Sequence, residues 1–162
     1  MSTPAFFAQR LATELPAFEK VLRALPAEKL DYKPHERNTA AGDLAWQIAT
    51  EMGSLSELFE TGEINYNQGA APAHENICSS IKTNGERALE SVKNVSEERW
   101  NGKGRFLWAG NVVWESTVND IAWGFLFDMV HHRGQLSVYL RPMGGKVPAI
   151  YGPSADDTGG AS

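Results

Sequence analysis

The sequence predicts an all-α protein, a four-helix bundle with a long structured crossover between its third and fourth helices. Two observations predict this. Four long segments repeat their apolar residues at steps of three and four, the spacing that collects side chains on one face of a helix. Between the third and fourth of them, Trp100 to Trp114 breaks that period with Gly102, Gly104 and Gly110, so the last helix is reached by a built connection instead of a tight turn. A chain of 162 residues with 42% apolar content suits one core. Residues 1–157 therefore read as a single domain, with 158–162 as a disordered tail.

The first helix is expected from about Pro4 to Ala24, carried by Phe6, Phe7, Leu11, Leu15, Phe18 and Leu22. Pro4 is tolerated in its first turn, whereas Pro16 predicts a kink. Leu25-Pro26 opens a connection through Tyr32, Pro34 and His35, and Thr39 is the expected N-cap of a second helix over about Ala40 to Glu60. Gly62 and Asn65 to Pro72 read as loop. A third helix follows over about Ala73 to Asn94, with Ile77, Ile81, Ala88, Leu89 and Val92 as its stripe and Gly85 as a mild weakness. The crossover from Trp100 to Trp114 suits a small hairpin or an irregular segment. The fourth helix starts at about Ser116 or Thr117 and ends at Leu140, stopped by Pro142 and Gly144-Gly145. Beyond it, Val147, Ile150 and Tyr151 are too apolar to sit free in water, so the tail from Val147 to Pro153 should pack back on the bundle.

The bulk chemistry excludes several classes. A net charge of -5 with no stripe of Lys and Arg argues against nucleic acid as a partner. The single cysteine, Cys78, excludes an intramolecular disulfide and a thiolate zinc cluster, so any metal must be held by nitrogen and oxygen. Cys78 itself reads as a small core residue and His74 as solvated. No run of residues approaches the roughly 20 needed to span a membrane and the N-terminus lacks a signal-peptide pattern, so a cytoplasmic protein is expected.

The candidate site lies where polar residues interrupt apolar stripes. On the fourth helix Ile121, Phe125, His132, Leu136 and Tyr139 share a face at about 100° per residue, and Asp128 precedes His132 by one turn. That spacing lets one helix offer two ligands to one metal, and equally lets the carboxylate orient the imidazole with no metal present. His131 points about 100° away and is not expected to take part. On the second helix Glu51 shares a face with Leu44, Ile48 and Leu55. A buried lone carboxylate is costly, so it needs a metal, His132 or water as partner. Five tryptophans read first as core, although Trp108 and Trp114 could line a ligand mouth.

The run from His131-His132-Arg133-Gly134-Gln135 to Leu140-Arg141, continuing through Pro142-Met143-Gly144-Gly145 and Ile150-Tyr151-Gly152-Pro153-Ser154-Ala155-Asp156-Asp157, closely resembles the closing helix and tail of the DinB/YfiT-like family. Leu30-Asp31-Tyr32-Lys33-Pro34-His35, followed by Ala41-Gly42-Asp43-Leu44-Ala45-Trp46, is similar to that family's lead-in to its second helix. The resemblance implies a four-helix bundle of DinB type whose metal is held by three histidines, one on the second helix and two spaced i, i+4 on the last. It assigns those positions to Gln47, Asp128 and His132, so an amide and a carboxylate stand where two imidazoles are expected. Arg133 and Gln135 belong to the signature and suit a role in closing the bundle, while Gly134 suits a close helix or tail contact.

Three readings stay open at this stage. A divalent metal (zinc, nickel, manganese or iron) sits on Asp128 and His132 with Gln47 or Glu51, the changed donors favouring harder ions and weaker binding. Alternatively, Glu51, Asp128 and His132 form a metal-free cluster capable of acid/base catalysis. In the third reading the cluster is structural. The resemblance implies an enzyme acting on a small molecule with a low-molecular-weight thiol, in the manner of a thiol-dependent S-transferase. The competing class is a non-catalytic, stress-associated or ligand-binding bundle, and in either case a homodimer is expected.

Overall fold

The structure, a computed structural model, describes residues 3–159, so the final three residues of the expected tail lie outside the described residues. Its long helices are α1 (Pro4–Arg23), α2 (Ala41–Thr61), α3 (His74–Lys93) and α5 (Val118–Leu140), with a short α4 (Glu97–Asn101) before the last. Each of the four expected helices is present, within a residue or two of the expected bounds.

Local chemistry accounts for the ends. Thr3 caps α1, its hydroxyl oxygen accepting from the Phe6 amide at 3.1 Å, and Thr117 caps α5 by accepting from the Asp120 amide at 3.1 Å. The expected cap at Thr39 is not used: Ala40 is the N-cap of α2 and makes no side-chain cap bond. Here tertiary contacts replace the cap, since the Ala41 and Gly42 amides donate to Tyr32 and Leu30 carbonyls at 3.0 and 2.7 Å. A Cβ on Gly42 would lie 2.9 Å from Leu30 Cβ, so this close crossing requires glycine. Pro16 does not interrupt α1, which runs through it with the proline ring on the exposed side.

The structure corrects the strictly all-α expectation. A small sheet, ordered β1-β2-β3, covers one side of the bundle; β1 is Glu63–Tyr66, β2 Lys103–Trp108 and β3 Asn111–Thr117. The β2–β3 hairpin answers the expected one, but β1 lies in a segment read as loop and pairs in parallel with β2. Gly62, at φ 84°, ends α2 in the left-handed conformation and sends the chain directly into β1. Ile64 and Tyr66 then point inward while Asn65 faces out, the alternation of a half-buried strand.

The apolar stripes of α1, α2, α3 and α5 meet in one core that includes Phe7, Leu11, Phe18, Leu44, Ile48, Leu55, Ile77, Ile81, Ile121 and Leu136. Gly85 is buried against α1, where a Cβ would come within 2.4 Å of Leu15. The C-terminal segment packs back as expected: Met143 and Ala149 are buried, and Val147 and Ile150 rest against the core. Tyr151 differs, being 73% exposed, and holds on by its hydroxyl and ring face. Its hydroxyl donates to Glu14 Oε2 at 2.7 Å, and the Arg133 guanidinium lies 5.0 Å from its ring centre and 4.9 Å from that of Phe18. Arg133 is 3% exposed and pairs with Glu14 at 2.6 Å, so the signature arginine ties α5 to α1 and to the tail. Gly134 makes no close contact, which corrects the close-approach expectation.

Removing one partner of a buried ion pair leaves an uncompensated charge. Glu14→Ala is therefore expected to lower unfolding free energy by about 3–5 kcal/mol in urea denaturation. Truncation after Gly145, which strips the covering segment from the same pair, should lower the melting temperature as well. Wild-type stability in both variants would show that the pair and the tail are ornaments of the fold.

Candidate functional site

The site forms where α2 and α5 pack beneath the sheet. α2 projects Gln47 and Glu51 one turn apart toward α5, which projects Asp128 and His132 one turn apart in return. Ligand atoms of Glu51, Asp128 and His132 all lie within 4.8 Å of one another. The four residues singled out from the sequence are thus brought together.

Hydrogen bonds fix their roles. The Gln47 amide nitrogen donates to Glu51 Oε1 at 2.8 Å and sits 2.9 Å from His132 Nε2. On its other side, His132 presents Nδ1 3.0 Å from Gln135 Oε1, an acceptor, so Nδ1 carries the proton and Nε2 turns its lone pair into the site. Gln135 is accordingly an orienting group, a role the sequence reading missed. Nε2 also lies 3.1 Å from Asp128 Oδ2. Imidazole nitrogen and carboxylate oxygen thus face one another beside the Gln47 amide, an approach that suits a shared cation.

Glu51 is 5% exposed, and its second oxygen, Oε2, is buried without a hydrogen-bond partner. Burial drives its carboxyl up from 4.5 to about 8 and the negative charge of Asp128 adds to this, against the lowering effect of the Gln47 hydrogen bond. Tyr66, whose hydroxyl lies 2.8 Å from Thr50 Oγ1, is likewise raised to about 12, chiefly by burial. Asp128 differs from the expected interior placement, its side chain being 50% exposed, because it stands at the mouth and not in the seam.

A cavity of about 360 Å³ opens above these groups, with Gln47, Glu51 and Asp128 at its polar end. Tyr66, Phe106, Trp108, Trp114 and Phe125 form the remaining wall together with Gly124. Trp108 and Trp114 line the mouth, as the sequence suggested. The others follow from register: Phe106 pairs with Trp114 across β2 and β3, and Tyr66 with Trp108 across β1 and β2, so one face of the sheet carries all four rings. Gly124 is the small residue that admits Trp114, since a Cβ there would come within 2.6 Å of the indole.

The donor set fits a divalent metal. One imidazole nitrogen and two carboxylates converge, the orphaned Glu51 Oε2 lacks any other partner, and the outer nitrogen of His132 is held by Gln135 in the way that metal-bound imidazoles are held. His131 is exposed, its ring tilted against that of His132 at a centroid distance of 5.3 Å. Away from the site, His74 is not simply solvated: its Nε2 lies 2.8 Å from the Leu22 carbonyl and 3.5 Å from Cys78 Sγ. Burial raises the Cys78 thiol, against activation as a nucleophile.

Fold and site together define a helical-bundle protein with a carboxylate–histidine centre under an aromatic roof. The family pattern of DinB matches residues 1–159, and the chain belongs to the DinB family. The uncharacterized protein YrdA of Bacillus subtilis (strain 168) is 25% identical over 154 residues, covering 89% of this chain and 85% of that one. Among solved structures, a DinB-like protein from Bacillus cereus ATCC 10987 superposes with a TM-score of 0.75 at 19% identity, covering 91% of this chain and 97% of its own. A mycothiol-dependent maleylpyruvate isomerase shares the fold at a TM-score of 0.55 and 12% identity, covering 90% of this chain and 64% of the isomerase.

In protein stripped of metal by a chelator, stability should fall as pH rises from about 4.5 to about 8. Across that window the folded state keeps a proton on Glu51 that the unfolded chain has already released, so raising the pH favours unfolding. Glu51→Gln removes this slope. Urea midpoints that rise with pH in the wild type, or an unchanged slope in the variant, would contradict the burial argument.

Proposed function

We propose that this protein is a metal-dependent enzyme acting on a small molecule, with Glu51, Asp128 and His132 as both the metal-holding and the catalytic groups. The observation that carries the reading is the buried Glu51 carboxyl, with Oε2 unpartnered and a ligand oxygen within 4.8 Å of the ligand atoms of His132 and Asp128. Gln47 completes the site: half a turn of its amide exchanges NH2 for a carbonyl oxygen, a donor suited to a hard ion. Two oxygen donors for one nitrogen favour manganese, iron or zinc over nickel, and hold late transition metals less tightly than three imidazoles. A bound divalent cation would supply the charge that lowers the pKa of a coordinated thiol or water near neutral pH.

The chain's own residues perform the rest. Gln135 holds the His132 ring in the tautomer that faces the site. Glu51, protonated in the metal-free state near neutral pH, is the proton-holding group of the cluster. The aromatic wall excludes water from the reacting end. A low-molecular-weight thiol as co-substrate, in a reaction resembling S-transfer, is supported by the shared fold of the mycothiol-dependent isomerase. A homodimer is supported by the exposed apolar face of α5, where Phe127 is 63% and Val138 72% exposed.

A metal-free, ligand-binding reading is favoured by one observation: the Gln47 amide already joins Glu51 to His132. Metal analysis and calorimetry on tag-free protein separate the two. The expected result is weak, substoichiometric metal as purified and saturable binding of manganese, iron or zinc that falls at least about tenfold in Asp128→Asn and in His132→Ala. Combining Gln47→His with Asp128→His should raise zinc or nickel affinity by orders of magnitude. Folded protein that takes up none of these ions, with no gain in the double variant, would leave the metal-free reading standing.

A further inference from the structure

The cavity's chemistry goes further than its reaction class. Five aromatic rings line it, its polar end carries the carboxyl groups of Glu51 and Asp128 with the Gln47 amide, and no lysine or arginine is among its lining residues. The nearest cations of the sheet are turned away and already matched: Arg105 pairs with Glu63, and Lys103 with Glu115 at 2.8 Å. Since side chains alternate along β2, Arg105 sits on the face opposite Phe106 and Trp108. An anionic ligand would therefore meet carboxyl groups and aromatic faces with no counter-charge among the lining residues. A metal held by the two carboxylates would neutralise them without leaving surplus positive charge.

Resting on the reading of this cavity as the substrate site, we infer that its substrate is an organic cation: an apolar or aromatic body bearing a protonated amine or quaternary ammonium. Aromatic quadrupoles and carboxylates attract the same sign of charge, and a cavity of about 360 Å³ holds a ring-sized body with its ammonium group. Glu51 Oε2, buried and without a hydrogen-bond partner, marks the acid-lined end as the place for the ligand's polar group in metal-free protein. Trp108, 54% exposed at the rim, is placed to meet the cation first. Gly124 sets the width by letting the Trp114 indole lie against α5.

Three soluble probes of nearly equal size test it: benzylammonium, benzyl alcohol and benzoate, titrated by calorimetry and by tryptophan fluorescence near pH 7.5, with and without saturating manganese. Benzylammonium should bind at least about tenfold more tightly than benzyl alcohol, and benzoate most weakly, in both states. Asp128→Asn and Trp108→Leu should each weaken benzylammonium about threefold or more beyond any loss for benzyl alcohol, because each removes a cation-attracting feature that the neutral probe does not use. Equal affinities, no saturable benzylammonium binding, or tightest binding of benzoate would overturn the inference. Manganese uptake is measured in the same titrations. Normal uptake with benzoate preferred would therefore sink the substrate class alone, whereas failed uptake with benzylammonium preferred would sink only the metal.

Discussion

A carboxyl group buried in an apolar seam is the constraint on which this site depends. Glu51 lies between α2 and α5 with one oxygen held by Gln47 and the other unpartnered. Such a group must be neutral, paired or bound to a cation, because an isolated charge in that environment is too costly to keep. Every neighbouring feature bears on that requirement. Gln47 links Glu51 to His132, Gln135 turns the ring so that Nε2 faces inward, and Asp128 brings a second carboxylate to the same nitrogen. The cluster is built by four side chains on two helices whose apolar faces are packed in the core, which sets where the groups converge.

Opposite this centre, stability and chemistry are divided between two faces of α5. One face carries Asp128 and His132 toward α2, and the other carries Arg133 into the buried pair with Glu14, under the ring of Tyr151. Adjacent residues in a helix point about 100° apart, so His132 and Arg133 necessarily serve different neighbours. The conspicuous sequence run around them is therefore two devices in one helix: a site and a clasp for the C-terminal segment. Ser154, Asp156 and Asp157 complete the clasp through bonds to the backbone of residues 147 and 149.

The long helices were legible in the sequence because their apolar stripes are local and repeat. β1 was not, since four residues give too short an alternation to stand out and its partner β2 lies some forty residues later (Glu63 opposite Arg105). The i, i+4 pairs Gln47/Glu51 and Asp128/His132 were legible for the same local reason as the helices. What escaped was whatever depends on a distant partner: Gln135 as the orienting group, Tyr66, Phe106 and Phe125 in the cavity wall, and Gly124 beneath Trp114. His74 reached the Leu22 carbonyl by the same kind of long-range contact. Only Trp108 and Trp114 carried a signal, because tryptophans in a glycine-broken crossover have no helix face on which to be buried.

The small sheet is what turns a helical cluster into a pocket. Without it, the groups on α2 and α5 would lie in an open groove, screened by water and unable to hold a small ligand against competition from solvent. Parallel pairing of β1 with β2 places Tyr66 beside Trp108, and the β2–β3 hairpin places Trp114 beside Phe106, so four rings descend onto one end of the bundle. A β-bulge between Phe106 and Leu107 shifts the register beyond them, with Val112 rather than Val113 opposite Leu107. Gly124 then allows the indole of Trp114 to settle on α5, where any larger residue would displace it. Asp128 sets a second carboxyl group beside Glu51, and no lysine or arginine is among the cavity's lining residues. Both favour negative character in the pocket, one by adding an acid and the other by withholding counter-charge. The electrostatic character of the pocket is thus a property of its whole lining and not of any single residue.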